Sequence, residues 1–203
     1  MAIFNLVAAI DTIPTVLGFC AYELAYNQGI QHKLYTEIMA SVESYDEIAY
    51  EHLEQLPYLH AVVSETLRLH TPGFVVKRKA TRDYTLGDTG IKIQQGQQVN
   101  VVTCAIHYSD DYYENPFEFN PDRFLPENKH KIKPYTYFPF GTGPLMCYGQ
   151  RYGLLLTKLA LFNILKMYRL VRVQQKVNGL ISDEKPLRLV NPSEIFAGFE
   201  KRI

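Results

Sequence analysis

The chain has 203 residues, enough for one domain or a tight pair at the usual about 100 to 200 residues each. Apolar residues make up 47% and charged residues 21%, which excludes a disordered chain, and Lys plus Arg equals Asp plus Glu at 21 each, so no global field draws it to nucleic acid. Three cysteines, Cys20, Cys104 and Cys147, cannot pair evenly and lack CxxC spacing, which argues against a disulfide scaffold or structural zinc and for a reducing compartment.

The opening MAIFNLVAAI lacks the basic lead of a signal peptide. Asp11, Pro14 and Glu23 also interrupt the run of about 20 apolar residues that a membrane-spanning helix needs. Residues 1–27 therefore read as a buried helix, in which Pro14 predicts a kink or a cap near Asp11 and Thr12. A domain seldom begins on its most buried element, which hints at a truncated protein. Ile30, Leu34 and Ile38 share one face of a second helix over 28–41, and 46–55 reads as a short acidic helix. Pro57 starts a further helix, with Leu59, Val62, Val63, Thr66 and Leu69 at helical spacing until Pro72 and Gly73 stop it. Glu65 and Arg68 lie three apart there and can touch; taken alone, they are an exposed pair worth about 0.2–0.5 kcal/mol.

From Phe74 onward, β-rich runs at 75–82, 91–93 and 98–104 are broken by Gly87, Gly90 and Gly96. Residues 109–137 carry Pro116, Pro121, Pro126 and Pro134 with little periodicity, an irregular stretch of a length usually reserved for function. A strong helix follows over about 150–168, with Arg151, Lys158 and Lys166 as its one polar stripe. The tail holds a hairpin signal at Asn178-Gly179 and a strand-like run near 194–201. No internal repeat is present.

The Gly-rich segment FPFGTGPLMCYGQ feeds directly into the last helix. It fails as a phosphate cradle: Met146 stands where a third glycine is needed, and no Lys-Ser or Lys-Thr follows. Cys147, however, sits just before a helix N-terminus, where peptide N–H groups and the helix dipole stabilise a thiolate suited to a metal. Gly141, Gly143 and Gly149 would let the backbone approach a flat cofactor, and Phe140 could exclude water beside the sulfur. Two alternatives stay open at this point: an inert buried cysteine, and a nucleophile partnered by one of the six histidines.

FPFGTGPLMCYG resembles the heme loop of the cytochrome P450 family, in which Phe-Gly-x-Gly-x-Arg-x-Cys-x-Gly carries the axial cysteine. Glu65-Thr66-Leu67-Arg68 matches the family's Glu-x-x-Arg, and Phe119-Asn120-Pro121-Asp122-Arg123-Phe124 its aromatic-x-Pro-x-Arg-Phe box. Ala8-Ala9-Ile10-Asp11-Thr12 resembles the oxygen-activating stretch of the long I helix. Four motifs in family order carry the resemblance, which is strongest to animal microsomal members that oxidise xenobiotics. It implies a mainly α fold with small β-sheets, of which residues 1–203 would be the C-terminal part, from the I helix onward.

The resemblance further implies heme b, with Cys147 as iron ligand and Phe140, Gly141, Gly143 and Gly149 around it. Arg78 would meet a heme propionate, although Lys77, Lys79 and Arg82 are close rivals. Asp11 and Thr12 would handle protons on the distal side; by themselves they read as an N-cap pair ahead of Pro14. Glu65, Arg68 and Arg123 would form a buried structural cluster. The implied activity is insertion of one atom of O2 into a small apolar organic substrate at the cytosolic face of the endoplasmic reticulum. Electrons would come from an NADPH-dependent reductase docking near Lys129, His130, Lys131, Lys133, Arg151 and Lys158, whose other reading is a solvated basic face. Thr71 to Lys77 and Ile195 to Ala197 would line the substrate pocket.

Three departures stand out. The loop arginine of the family is Leu145 here, which removes a propionate partner; the I-helix glycine is Ala9; and everything the family places before its I helix, including the membrane anchor, is missing. A non-catalytic fragment or pseudoenzyme with weak heme binding is therefore the competing expectation.

Overall fold

The computed structural model describes residues 2–44, 50–173 and 195–202. Six α-helices are present among them: α1 (Ala2–Tyr26), α2 (Gln28–Ser44), α3 (Tyr50–Glu54), α4 (Pro57–Leu69), α5 (Thr103–His107) and α6 (Gln150–Met167). Six short strands form three antiparallel pairs. Strand β1 (Val75–Lys79) pairs with β4 (Gln98–Val102) in the register Val75 to Val102; β2 (Tyr84–Thr85) pairs with β3 (Lys92–Ile93); and β5 (Tyr168–Arg172) pairs with β6 (Ala197–Lys201), Leu170 facing Phe199. The fold is mainly α with small sheets, as the sequence implies. The turn expected at Asn178-Gly179 lies outside the described residues.

The core sits where α1, α2, α4 and α6 meet. Val16, Cys20, Leu24, Leu34, Ile38, Leu59, Val62, Leu161, Phe162 and Leu165 are buried together. Each such aliphatic or aromatic side chain contributes about 1.5–3 kcal/mol by leaving water. Here the structure sharpens the reading of α1 as a buried helix. From Ala9 onward, where burial is described, the first buried residue is Thr15, whereas Ile10, Asp11 and Pro14 are exposed, and Val16 is the first of these to join the core cluster. Pro14 does not cap or end the helix. The chain continues helically through it, and the Thr15 hydroxyl donates to the Asp11 carbonyl at 2.6 Å.

Two inter-element bonds replace local caps. Leu56, the N-cap of α4, has no side chain able to accept from the helix, and Pro57 occupies the first turn. Both oxygens of Glu37 on α2 accept instead, from the amides of Tyr58 and Leu59 at 2.8 Å each. A carboxylate at a helix N-terminus also faces the positive end of its dipole. Gln31 does the equivalent for a strand: its side-chain amide donates to the Leu170 carbonyl at 2.8 Å and accepts from the Leu170 amide at 2.9 Å.

Element boundaries differ from expectation in three places. The second helix runs to Ser44. The first β-run stops at Lys79, and the last stops at Val102, where the chain turns into α5. That helical turn buries Thr103 and His107, four residues apart, on one face. The expected stripe on α6 is also corrected: Arg151 and Lys166 are exposed, but Lys158 is buried. Its ammonium reaches the exposed Glu54 carboxylate of α3 at 2.8 Å, so a long apolar stem crosses the packing and only its tip is paired.

Candidate active site

The Cys147 loop is a folded turn rather than an open strap. Gly141 and Gly143 take φ of +73° and +79°, the left-handed region where a Cβ is strained. The Gly141 amide donates to the Phe138 carbonyl at 2.9 Å, and the Cys147 amide donates to the Phe140 carbonyl at 2.9 Å. Gly149 differs from the other two glycines. Its φ of −81° suits any residue, and a Cβ there would meet Cys147 Sγ at 3.8 Å, an ordinary contact. Phe140 is half buried against the core, and its described link to Cys147 is through its carbonyl and not its ring.

Cys147 is exposed, unlike Cys20, which is sealed in the core with its thiol pushed up to about 12 by burial. An inert core cysteine is thus Cys20, not Cys147. Three of the six histidines are engaged away from Cys147: His60 contacts Ser64, His70 contacts Glu23, and His107 is held between Arg68 and Phe138. Leu145, two residues before the cysteine, is 75% exposed. The thiol therefore sits on an open face with apolar neighbours.

Strand β1 reaches this loop through Arg78, whose Nη2 donates to the Thr142 carbonyl at 3.2 Å. The strand's alternation separates Arg78 from two of its three rivals, since Lys77 and Lys79 point to the exposed face; Arg82 lies beyond the strand. Asp11 and Thr12 lie within α1, exposed and half buried respectively, so the N-cap alternative falls. Their helix packs on α6, which begins just after Cys147, and no described hydrogen bond joins Asp11 to the loop.

The Glu65 and Arg68 pair is fully buried at both ends. Arg68 Nε donates to Glu65 Oε2 at 2.8 Å and Nη2 to Oε1 at 2.9 Å, a bidentate fork, while Nη1 donates to the His107 carbonyl at 2.6 Å. Glu65 Oε1 also accepts from the Asn120 amide, and Arg123 Nε lies 3.4 Å away. The structure thus gathers all three members of the predicted cluster, and adds His107, which the sequence did not single out. Its signal was faint: a histidine three residues beyond the end of the 98–104 run read as strand.

A family profile described as Cytochrome P450 matches residues 2–197. Cytochrome P450 9e2 of Blattella germanica is 36% identical over 203 residues, 99% of this chain but 38% of that protein. Cytochrome P450 6a2 of Drosophila melanogaster is 38% identical over 165 residues, covering 80% of this chain and 33% of that protein. Cytochrome P450 3A12 of Canis lupus familiaris is 36% identical over 195 residues, 93% of this chain and 38% of that protein. The chain belongs to the cytochrome P450 family, and it spans under two fifths of the length of these relatives.

The donor set suits the heme that this family implies. Among the described residues no group of three or more His, Cys, Asp or Glu side chains could hold a bare metal ion. What the loop offers is one exposed soft sulfur, which would suit a metal that brings most of its ligands in its own macrocycle. Among the described residues no helix is long and apolar enough to cross a membrane.

Proposed function

We propose that residues 1–203 are the heme-binding portion of a heme-thiolate monooxygenase acting on a small apolar organic substrate, with Cys147 as the ligand to heme b. The observation that carries this is the Cys147 thiol, exposed at the start of α6 on a turn braced by Gly141, Gly143 and two backbone bonds. When bound, heme supplies the activation of dioxygen, to which a thiolate ligand lends electron density. The protein's own work is positional. Cys147 holds the group from one side, and Arg78, already at the loop, offers a guanidinium fork to a propionate. Thr12 Oγ1 would hold a proton toward the group, and the Asp11 carboxylate, open to water, would take a proton from water and pass it on to replace it. Glu65, Arg68 and Arg123 keep the chain ahead of the loop in place.

Thr71 is buried at the end of α4 and Phe74 to Val76 are half buried, a setting compatible with lining an apolar pocket. The proposed electron donor is an NADPH-dependent reductase docking on exposed Lys129, His130, Lys131, Lys133 and Arg151; Lys158, buried against Glu54, leaves this set. The proposed setting is the cytosolic face of the endoplasmic reticulum.

A second reading, a fragment that retains heme poorly, is favoured by Leu145, an exposed apolar side chain where the family motif has arginine. One experiment separates the two. The reduced, heme-reconstituted chain with carbon monoxide should show a thiolate-type Soret band that is lost in Cys147→Ala. A band that survives Cys147→Ala overturns the ligand assignment. No band in the parent chain, together with one gained in Leu145→Arg, supports the second reading.

A further inference from the structure

We infer that His107 is a positioning residue that ties the Cys147 loop to α4 in a single tautomer, with Nδ1 protonated and Nε2 bare. Donor and acceptor chemistry fixes this assignment. His107 Nδ1 lies 3.1 Å from the Arg68 carbonyl, which can only accept, so Nδ1 carries the proton. The Phe138 amide, which can only donate, lies 3.2 Å from Nε2, so that nitrogen must offer its lone pair. The same residue accepts from Arg68 Nη1 through its own carbonyl, stacks on Tyr137 at 5.6 Å and meets the edge of Phe138. It is fully buried.

From Phe138 the path continues to the sulfur. The Phe138 carbonyl accepts from Gly141 and the Phe140 carbonyl accepts from Cys147, so one imidazole links the buried arginine cluster to the turn that presents the thiol. A charged ring would set an N–H against the Phe138 N–H, two donors with no acceptor between them. Burial pushes His107 down to about 4, the Arg68 guanidinium acting in the same direction and the bond to the Arg68 carbonyl opposing. The charged or titratable groups around it are Arg68 and Glu65 on α4, Tyr137 and Tyr113 from the segment after α5, and Tyr108 and Cys104 beside its own turn.

Only the functional consequence of this link rests on the reading of Cys147 as a heme ligand; the tautomer does not. In the full 203-residue chain, nitrogen-15 NMR of the ring should give the Nδ1–H form, persisting to about pH 4. An Nε2–H signal, or a titration near the ordinary 6.5, overturns the inference. His107→Phe fills the space without accepting from Phe138, whereas the longer amide of His107→Gln can still accept. Exchange of the Phe138, Gly141 and Cys147 amides should quicken about tenfold or more in the Phe variant and be largely rescued in the Gln variant. Equal behaviour of the two variants overturns the inference. With heme bound, the Phe variant should also lose thiolate-type Soret intensity that the Gln variant regains. A parent chain that shows the tautomer but no Soret band refutes the functional reading alone.

Discussion

Two arginines ten residues apart in the sequence meet opposite fates. Arg68 is wholly buried, forked onto Glu65 and bonded to the backbone of His107, while Arg78 is half exposed and, among the described residues, bonds the carbonyls of Thr142 and Lys77. The same division separates the α1, α4 and α6 bundle from the cysteine loop. In the bundle, polar groups are consumed by partners within the chain. On the loop, Leu145, Met146, Cys147 and Tyr148 are open to solvent. The difference teaches that Arg68 and Cys147 face different demands, with His107 and Gly141 between the two regions, so substitutions at the two extremes should separate unfolding from spectroscopic readouts.

The largest effect should come from Arg68→Ala. It strands the Glu65 carboxylate at zero exposure, which costs about 3–5 kcal/mol in urea unfolding. A loss below about 1 kcal/mol, the range of a surface pair, would collapse the contrast between bundle and loop. Acid should act next. Because His107 is held near 4 against an ordinary 6.5, the unfolded chain binds a proton first, so the stability present above pH 6.5 is lost as the pH falls toward 4. The shift corresponds to about 3 kcal/mol, and His107→Gln should flatten that part of the stability profile.

Glu37→Ala should cost about 1–2 kcal/mol, since two amides of α4 lose their acceptor with no local residue to replace it; thermal unfolding measures it. Gly141→Ala should cost about 1–2 kcal/mol through its left-handed backbone alone, because the nearest atom to the new Cβ is 3.9 Å away. Smallest of all, Cys147→Ala should leave the unfolding curve within about 0.5 kcal/mol while abolishing the thiolate spectrum. A large loss of stability there would mean the loop is structural after all.

Much of this was legible beforehand. Helical spacing around Leu59 to Leu69 and around 150–168 located α4 and α6, and the cysteine before a helix start pointed to the candidate site. What was hidden depends on long-range partners. Spacing says that Glu65 and Arg68 can touch, but their burial comes from residues about α5 and Asn120, far along the chain. Lys158 was misread because a long charged side chain counts as polar in a helical pattern, whereas most of its length is apolar. Glu37 did leave a trace that was not used: Leu56-Pro57 opens a helix with no capping side chain, so some acceptor had to arrive from elsewhere. Arg78 became distinct from Lys77 and Lys79 only once the strand's facing was known.

The Gln31 amide clasped to Leu170 has a consequence for the company this chain keeps. Among the described residues, strand β5 is paired with β6 on one side, and the backbone groups on its other side are of the kind that recruit a strand from a neighbouring molecule. At Leu170 both of those groups are already taken by a side chain that imitates a peptide unit, and Gln28 adds a second donor to the same carbonyl at 2.9 Å. Two glutamines on one helix thereby act as a doorstop against intermolecular β-pairing, a safeguard built from side chains where other folds lay down another strand.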